Sequence, residues 1–265
     1  MSAPAPSSVC IDDDRFLPLI ESVLTEHNLR AEIIHFCQQA ESDFRACWQW
    51  LDDRDSPCPL AETALTLAVN ELSKRVSHVH AFHGCRVIPD SSYCANGILP
   101  LARGWIEAEI IKWAGILPSS GSPADRLMQN YLRSYSGKVC AVKSLRVHQE
   151  NGGYGHALGS ETLRSILRLH DPKALNRFLQ TGEPSIIEFL IPVPALEVRV
   201  WQNFVSDMLR IWLSQQFDFV RPGSDPSLGG LVFSRKVPHE WLVRSYLCDD
   251  RGKLTGRVCS YSSED

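Results

Sequence analysis

A change of hydrophobic period at Ser77 constrains this chain more than any other feature. From about residue 15 to 53 the apolar residues recur at helical steps. Phe16, Leu19, Ile20, Val23 and Leu24 form one set, and Ile33, Ile34, Phe36 and Cys37 form another. Cys47, Trp48 and Leu51 carry the apolar face to a break at Asp52-Asp53-Arg54-Asp55-Ser56-Pro57. Pro59 stands where a helix starts well, because a first-turn N–H has no partner inside the helix. Residues 60–76 are again amphipathic. Beyond Ser77, short β-branched and aromatic runs alternate with single helices. That order predicts an α+β fold with an N-terminal helical lobe and a mixed or antiparallel sheet. The expected boundaries are a flexible Ala/Pro/Ser-rich tail over 1–10, a helical lobe over 11–76 and an α+β domain over 77–265.

Within the second part, residues 78–88 read as a strand closed by Pro89-Asp90. Residues 91–96 give one helical turn, ended by Gly97 where a positive φ suits glycine. Helices follow over 102–114 and 124–135, then a strand over 138–148. Asn151-Gly152-Gly153 is a turn, and 154–158 is a short extended piece. Ser160 is placed to cap a helix running to about residue 169. A further short helix spans 171–180, and Pro184 and Pro194 bracket a buried strand over 186–193. Residues 198–217 form a long helix, with Trp201, Val205, Met208, Ile211 and Trp212 on one side. Strands over 231–237 and 241–247 close the series, followed by a hairpin-like Asp250-Arg251-Gly252-Lys253. Trp105, Trp113, Trp201 and Trp212 fall at helical spacing, which is simplest as core packing.

Charge narrows the function classes. The 265 residues carry 27 Lys+Arg against 31 Asp+Glu, a net charge of −4. Without a basic run, sequence-independent duplex binding is a poor fit, although a local basic groove stays open. No stretch approaches the roughly 20 apolar residues that cross a bilayer, and the start lacks the basic and apolar regions of a secretory signal. The nine cysteines are scattered, odd in number and mostly inside apolar patterns. They read as reduced thiols of a cytoplasmic protein with no membrane partner.

The most unusual local segment is His78-Val79-His80-Ala81-Phe82-His83-Gly84-Cys85-Arg86. On a strand, His83 and Cys85 share a face with Val79 and Ala81, while His78 and His80 take the other. Zinc ligands on opposite faces converge only through a bulge, and no Cys-x-x-Cys pair exists, so no metal is expected. A Cys85 nucleophile with a histidine base rests on spacing alone. No Gly-x-Ser-x-Gly and no His-Glu-x-x-His occurs, which removes the usual support for hydrolase and metalloprotease readings.

The same segment has a second shape. His83-Gly84 ends a strand, and the turn Ser91-Ser92-Tyr93-Cys94-Ala95 leads to Gly97-Ile98. Downstream come Gly153-Tyr154, then Ser160, then a helix from Thr162. The strand over 186–193 follows, and finally Leu231-Val232-Phe233-Ser234-Arg235-Lys236-Val237 before Pro238. This ordered set resembles the ADP-ribosyltransferase fold, in its diphtheria-toxin and poly(ADP-ribose)-polymerase branch, over about residues 77–247. The resemblance implies NAD as a substrate. It implies that His83, beside Gly84, hydrogen-bonds a ribose hydroxyl and that Tyr154 stacks on the nicotinamide ring. Ser160 and the fallback aromatic Tyr93 would line the same pocket, with Arg86 toward the pyrophosphate or adenosine side. Cleavage leaves an oxocarbenium-like ribose that needs negative charge nearby.

The polymerase members place a glutamate for that purpose at the start of a late strand. Here Gly230 or Leu231 falls at that place. Glu161 is the best local substitute, and its alternative role is a first-turn carboxylate facing the helix dipole. Glu188, inside an apolar strand, is either on an exposed edge or buried and paired. Three readings stay open. The first is a mono-ADP-ribosyltransferase-like enzyme with catalytic Glu161, Tyr154 and His83, acting on an unidentified target. The second is a non-catalytic module of the same fold that binds a nucleotide or a protein. The third is an unrelated α+β interaction protein.

Overall fold

The period change at Ser77 marks a real change of structure. The computed structural model describes residues 8–39, 59–87, 93–146, 160–216 and 230–261. Its first elements are β1 (Ser8–Val9), α1 (Leu17–Glu26), α2 (Leu29–Gln39) and α3 (Pro59–Arg75). Next come β2 (His78–Val87), α4 (Tyr93–Asn96), α5 (Arg103–Ala114), α6 (Pro123–Tyr135) and β3 (Val139–Val142). The chain continues through α7 (Glu161–His170), α8 (Pro172–Leu179), β4 (Glu183–Pro192) and α9 (Val198–Gln216). It ends in β5 (Gly230–Phe233), β6 (Leu242–Cys248) and β7 (Leu254–Ser260). The class is α+β. The strand order is β5-β3-β2-β4-β6-β7, with β1 beside β2. The β2–β3, β3–β5, β4–β6 and β6–β7 pairs are antiparallel. Among the described pairs, the short β1 runs parallel to β2.

The chain divides into two compact units. One comprises Met1–His80 and Ile191–Gly229, the other Ala81–Leu190 and Gly230–Asp265. In the first, α1, α3 and α9 pack on one another around Ile20, Val23, Leu24, Ala68, Leu72 and Met208, all fully buried. The Trp201 indole N–H donates to the Val69 carbonyl at 3.2 Å. The Trp212 indole N–H donates to Glu21 at 2.6 Å, and the other Glu21 oxygen takes Arg30. The helical part therefore draws on α9, which the sequence order places inside the α+β domain. Its apolar face finds partners in α1 and α3 that lie far away in sequence. Residues 8–10 also differ from a loose tail. Ser8 and Val9 pair with His78 and Val79, and Val9 is buried. Residues 1–7 lie outside the described residues, as do Cys47, Trp48, Leu51 and the break after them. Between α1 and α2, Asn28 at φ 60° turns the chain, so the first helical stretch is two helices.

In the second unit, α5, α6, α7 and α8 share a core that includes Ile106, Ile110, Met128, Leu163, Ile166 and Phe178. Side-chain caps start three of these helices. Ser122 accepts from Asp125 N–H at 3.2 Å, Ser160 from Leu163 N–H at 3.3 Å, and Asp171 from Lys173 N–H at 2.9 Å. Trp113 meets Phe178 edge-on, with ring centroids 5.6 Å apart. Trp105 is 41% exposed, so helical spacing alone overstated the tryptophan core. Gly97 closes α4 by donating to Tyr93 O at 2.8 Å with φ +66°. A Cβ there would sit 2.0 Å from Val237 O, because Ile98 and Val237 bridge the two segments. β3 is shorter than the expected 138–148, since it ends before the buried polar pair Lys143 and Ser144. β5 likewise ends at Phe233, and Val237 serves the separate bridge to Ile98 instead.

Cys10, Cys37, Cys85, Cys140, Cys248 and Cys259 form no disulfide. Among the described residues, no helix is long and apolar enough to cross a membrane.

One ion pair gives the helical unit a defined acid response. Arg75 at the end of α3 donates to Glu26 at the end of α1 at 3.1 Å, and Ser22 donates to the same carboxylate at 2.6 Å. The Arg75 bond, then the Ser22 bond, lowers the Glu26 carboxyl from 4.5 to about 2. A lowered carboxyl stabilises the fold fully above its unfolded value, and that contribution fades as pH falls toward the folded value. The melting temperature of Glu26→Gln is therefore expected to fall less steeply than wild type between pH 4.5 and about 2. Parallel curves across that window would remove the pair from the account.

Candidate functional site

The candidate site is built on β2. Beyond Ala81 the strand is buried on both faces, at Phe82, Cys85 and Arg86, as an interior strand requires. His83 is half-buried between them. Its Nδ1 lies 2.8 Å from the carbonyl oxygen of Cys140 on β3. A carbonyl only accepts, so Nδ1 carries a proton in this arrangement. Phe82 opposes Val142 in the β2–β3 register, which holds His83 and Cys140 at one place in the sheet.

Glu161 enters from α7. Ser160 caps that helix through its hydroxyl, as its sequence position predicts, and Glu161 is exposed in the first turn, where the helix dipole favours a carboxylate. It is also within electrostatic reach of Cys140. Partial desolvation raises the Cys140 thiol, Lys138 pulls against that shift, and Glu161 adds to it. His83 thus bonds the Cys140 backbone, and the charge of Glu161 acts on the Cys140 thiol. Gly84 continues β2 and is half-buried. Gly153 and Tyr154 lie outside the described residues, so no geometry attaches to the proposed ring-stacking residue.

Two other expected residues are engaged elsewhere. Arg86 is only 7% exposed. Its Nε donates to Thr181 O at 2.9 Å, and its Nη2 donates to Leu179 O at 2.6 Å and Gly182 O at 2.8 Å. These carbonyls end α8 and lead into β4, so the guanidinium closes a helix C-terminus rather than facing an open pocket. The Tyr93 hydroxyl lies beside the Cys85 thiol, and each perturbs the other. The nearby sulfur, then burial, pushes the Tyr93 hydroxyl well above its ordinary value. Burial pushes the Cys85 thiol up to about 12. A thiol so raised stays protonated at neutral pH and is no nucleophile.

Glu188 is buried and paired. It is 4% exposed, and its Oε2 accepts from the Tyr246 hydroxyl at 2.6 Å and from Arg244 Nε at 3.1 Å. Arg244 is its direct register partner on β6, so the cluster stitches β4 to β6. Among the described residues, no three His, Cys, Asp or Glu side chains form a group able to hold a metal. A shallow cavity of about 340 Å³ is lined by Arg103, Gln129, Leu132, Arg133 and Ser136, none of them an expected site residue.

Sequence reasoning missed two participants. The Cys140 carbonyl is a backbone group, and no side-chain pattern announces it. Arg164 stands three residues after Glu161 on the same helix face, a spacing that was readable. Desolvation lowers its guanidinium, Arg168 adds to that, and Glu161 opposes it.

Removing the Arg86 guanidinium would leave three carbonyls without their donor. Arg86→Met is expected to lower unfolding stability by about 2–4 kcal/mol, read from urea denaturation. A change below about 0.5 kcal/mol, the scale of a surface substitution, would contradict the structural role given to it.

Compared with known proteins, the chain matches no family model, no curated protein and no solved structure.

Proposed function

We propose that this chain is an NAD-using mono-ADP-ribosyltransferase-like protein that releases nicotinamide and passes ADP-ribose to an acceptor. The observation that carries the reading is the hydrogen bond that fixes His83 on the strand β2. His83 is fixed by the Cys140 carbonyl, and Glu161 lies within reach of the same residue. In this reading the His83 ring and the Glu161 carboxylate serve one ribose, as ribose recognition and charge stabilisation require. The strand order supports the same reading. Gly230, where the resemblance places the late-strand residue, opposes Val142 of β3, and Val142 opposes Phe82, the neighbour of His83.

In this reading Nε2 of His83 accepts from a ribose hydroxyl, and the Gly84 backbone lies beside the nicotinamide amide. Tyr154 stacks on the nicotinamide ring. The bond between the ribose anomeric carbon and the ring nitrogen breaks, and its electron pair leaves with neutral nicotinamide. The Glu161 carboxylate stabilises the positive charge left on the ribose. The acceptor's lone pair then bonds the anomeric carbon, and its proton passes to solvent or to a nearby base.

One observation favours a second reading, a nucleotide-binding module without turnover. β5 begins with Gly230, which has no side chain, and the carboxylate of the resembled enzymes is missing there.

Calorimetric NAD titration and nicotinamide release separate the two. His83→Ala is expected to weaken NAD binding by about 1–3 kcal/mol. Glu161→Gln is expected to abolish release while preserving affinity, because it removes charge and little else. NAD binding with no release in wild type supports the module instead. Wild type that binds no NAD contradicts the transferase reading.

A further inference from the structure

Helix α5 ends at Gly115, whose φ of 78° turns the chain and whose N–H donates to the Ile111 carbonyl at 2.8 Å. An apolar contact between the residue after such a glycine and the last helical turn commonly accompanies this cap. Ile116 and Ile111 hold those places, yet Ile116 is 68% exposed and Ile111 is exposed as well. The cap accounts for their spacing and leaves both facing solvent. Leu117 and, near the end of α7, Leu169 are exposed too. All four belong to one end of the α5–α8 bundle. His170 Nε2 lies 2.8 Å from the Ile116 carbonyl, and Arg177 of α8 donates to the Trp113 carbonyl at 2.6 Å. The turn that presents the apolar pair is itself held. Pro118 is buried, Ser122 N–H donates to Ser119 O at 3.0 Å, and Gly121 N–H donates to Asp125 at 2.8 Å. Single apolar residues are ordinary on a surface, whereas several large ones gathered at one place mark an interaction surface.

The charge of this end runs against that of the chain, which is −4 in all. Lys112, Arg168, Lys173 and Arg177 are exposed here, against Glu109 and Asp171. Both carboxylates are engaged inside the bundle. Glu109 accepts from the Trp113 indole at 3.0 Å and meets Lys112 at 3.7 Å. Asp171 caps α8 through the Lys173 N–H at 2.9 Å and meets Arg177 at 3.5 Å. The side chains of Arg168 and Lys173 pair with no carboxylate among the described residues. Arg168 suits the last turn of α7, but Lys173 stands in the first turn of α8, where the helix dipole disfavours a cation. Local electrostatics therefore leave Lys173 unexplained.

An occupant of this surface has to cover aliphatic side chains and bring negative charge to the cations beside them. A small anion meets only the second requirement, and an uncharged apolar segment only the first. An amphipathic helix with an acidic polar face meets both, since its apolar stripe buries the aliphatic groups and its carboxylates answer the cations. We propose that the surface formed by Ile111, Ile116, Leu117 and Leu169, with Arg168 and Lys173 beside it, docks an acidic amphipathic helix of a partner protein. The proposal is independent of the NAD reading.

The test uses two synthetic amphipathic helices, each about five turns long, with the same leucine stripe and either glutamate or lysine on the polar face. Their binding to the full chain is read by fluorescence anisotropy at low and high salt. The glutamate peptide is expected to bind at least about tenfold more tightly than the lysine peptide, and added salt should narrow that gap. Ile116→Ser should weaken the glutamate peptide about tenfold or more. Lys173→Glu should weaken it chiefly at low salt. Val258→Ser, at an exposed position on β7, should change nothing. Melting temperatures check that each variant folds.

Equal binding of the two peptides, no binding of the glutamate peptide, or binding that ignores Ile116→Ser would each overturn the proposal. Two further measurements set it against other occupants. Sedimentation with phosphatidylserine-containing vesicles that depends on Ile116, without binding of the glutamate peptide, would make this a lipid-facing surface and overturn the protein partner. Self-association in the ultracentrifuge that Ile116→Ser abolishes would make the occupant a second copy of this chain and overturn it as well.

Discussion

A guanidinium buried as deeply as that of Arg86 needs acceptors, and the chain supplies three backbone carbonyls in a row at Leu179, Thr181 and Gly182. The arrangement satisfies both sides. Helix α8 ends with carbonyl oxygens that have no partner inside the helix, and a buried cation has no water to turn to. The consequence is positional. β2 is held against the turn between α8 and β4, and β2 also carries His83, Gly84 and Cys85. The candidate site thus depends on a side chain that does not belong to it. Such a residue is expected to be intolerant of lysine, whose single ammonium cannot present the same spread of donors.

Much of this fold was legible in the sequence because its signals are local. Gly97 ends α4 with a positive φ, Ser160 caps α7, and Pro59 begins α3, each for a reason contained within a few residues. What escaped depends on partners distant in the chain. The apolar face of α9 is plain in the sequence, but nothing local says that α1 and α3 receive it. Val9 reads as part of a polar tail until its pairing with Val79 is known. Trp105 obeys the helical period of a core residue and still faces solvent. Period locates a helix and leaves its outermost turn undecided.

The candidate site divides along the same line. His83 and Glu161 stood out as residues; the β2–β3 pairing sets His83 against the Cys140 carbonyl, and the Ser160 cap begins the helix that carries Glu161. Arg86 was a secondary candidate and Tyr93 a fallback, and burial assigns the Arg86 donors to carbonyls while the Tyr93 hydroxyl sits beside a thiol. A polar group near a reactive-looking segment is not thereby a ligand; where its donors go decides the matter. Glu188 shows the same logic from the other direction. A charge in an apolar strand looks costly or catalytic from sequence, and Arg244 and Tyr246 convert it into a cross-strand clamp.

The account turns on His83 being held by Cys140 so that its second ring nitrogen serves a nucleotide. Nitrogen-15 spectroscopy of the imidazole rings, with assignment by His83→Gln among the nine histidines, reads that arrangement directly. The account predicts a neutral His83 ring protonated at Nδ1, with an Nε2 resonance that shifts when NAD is added and an Nδ1 resonance that stays in place. A ring protonated at Nε2 instead, or an Nε2 resonance indifferent to saturating NAD, would contradict it.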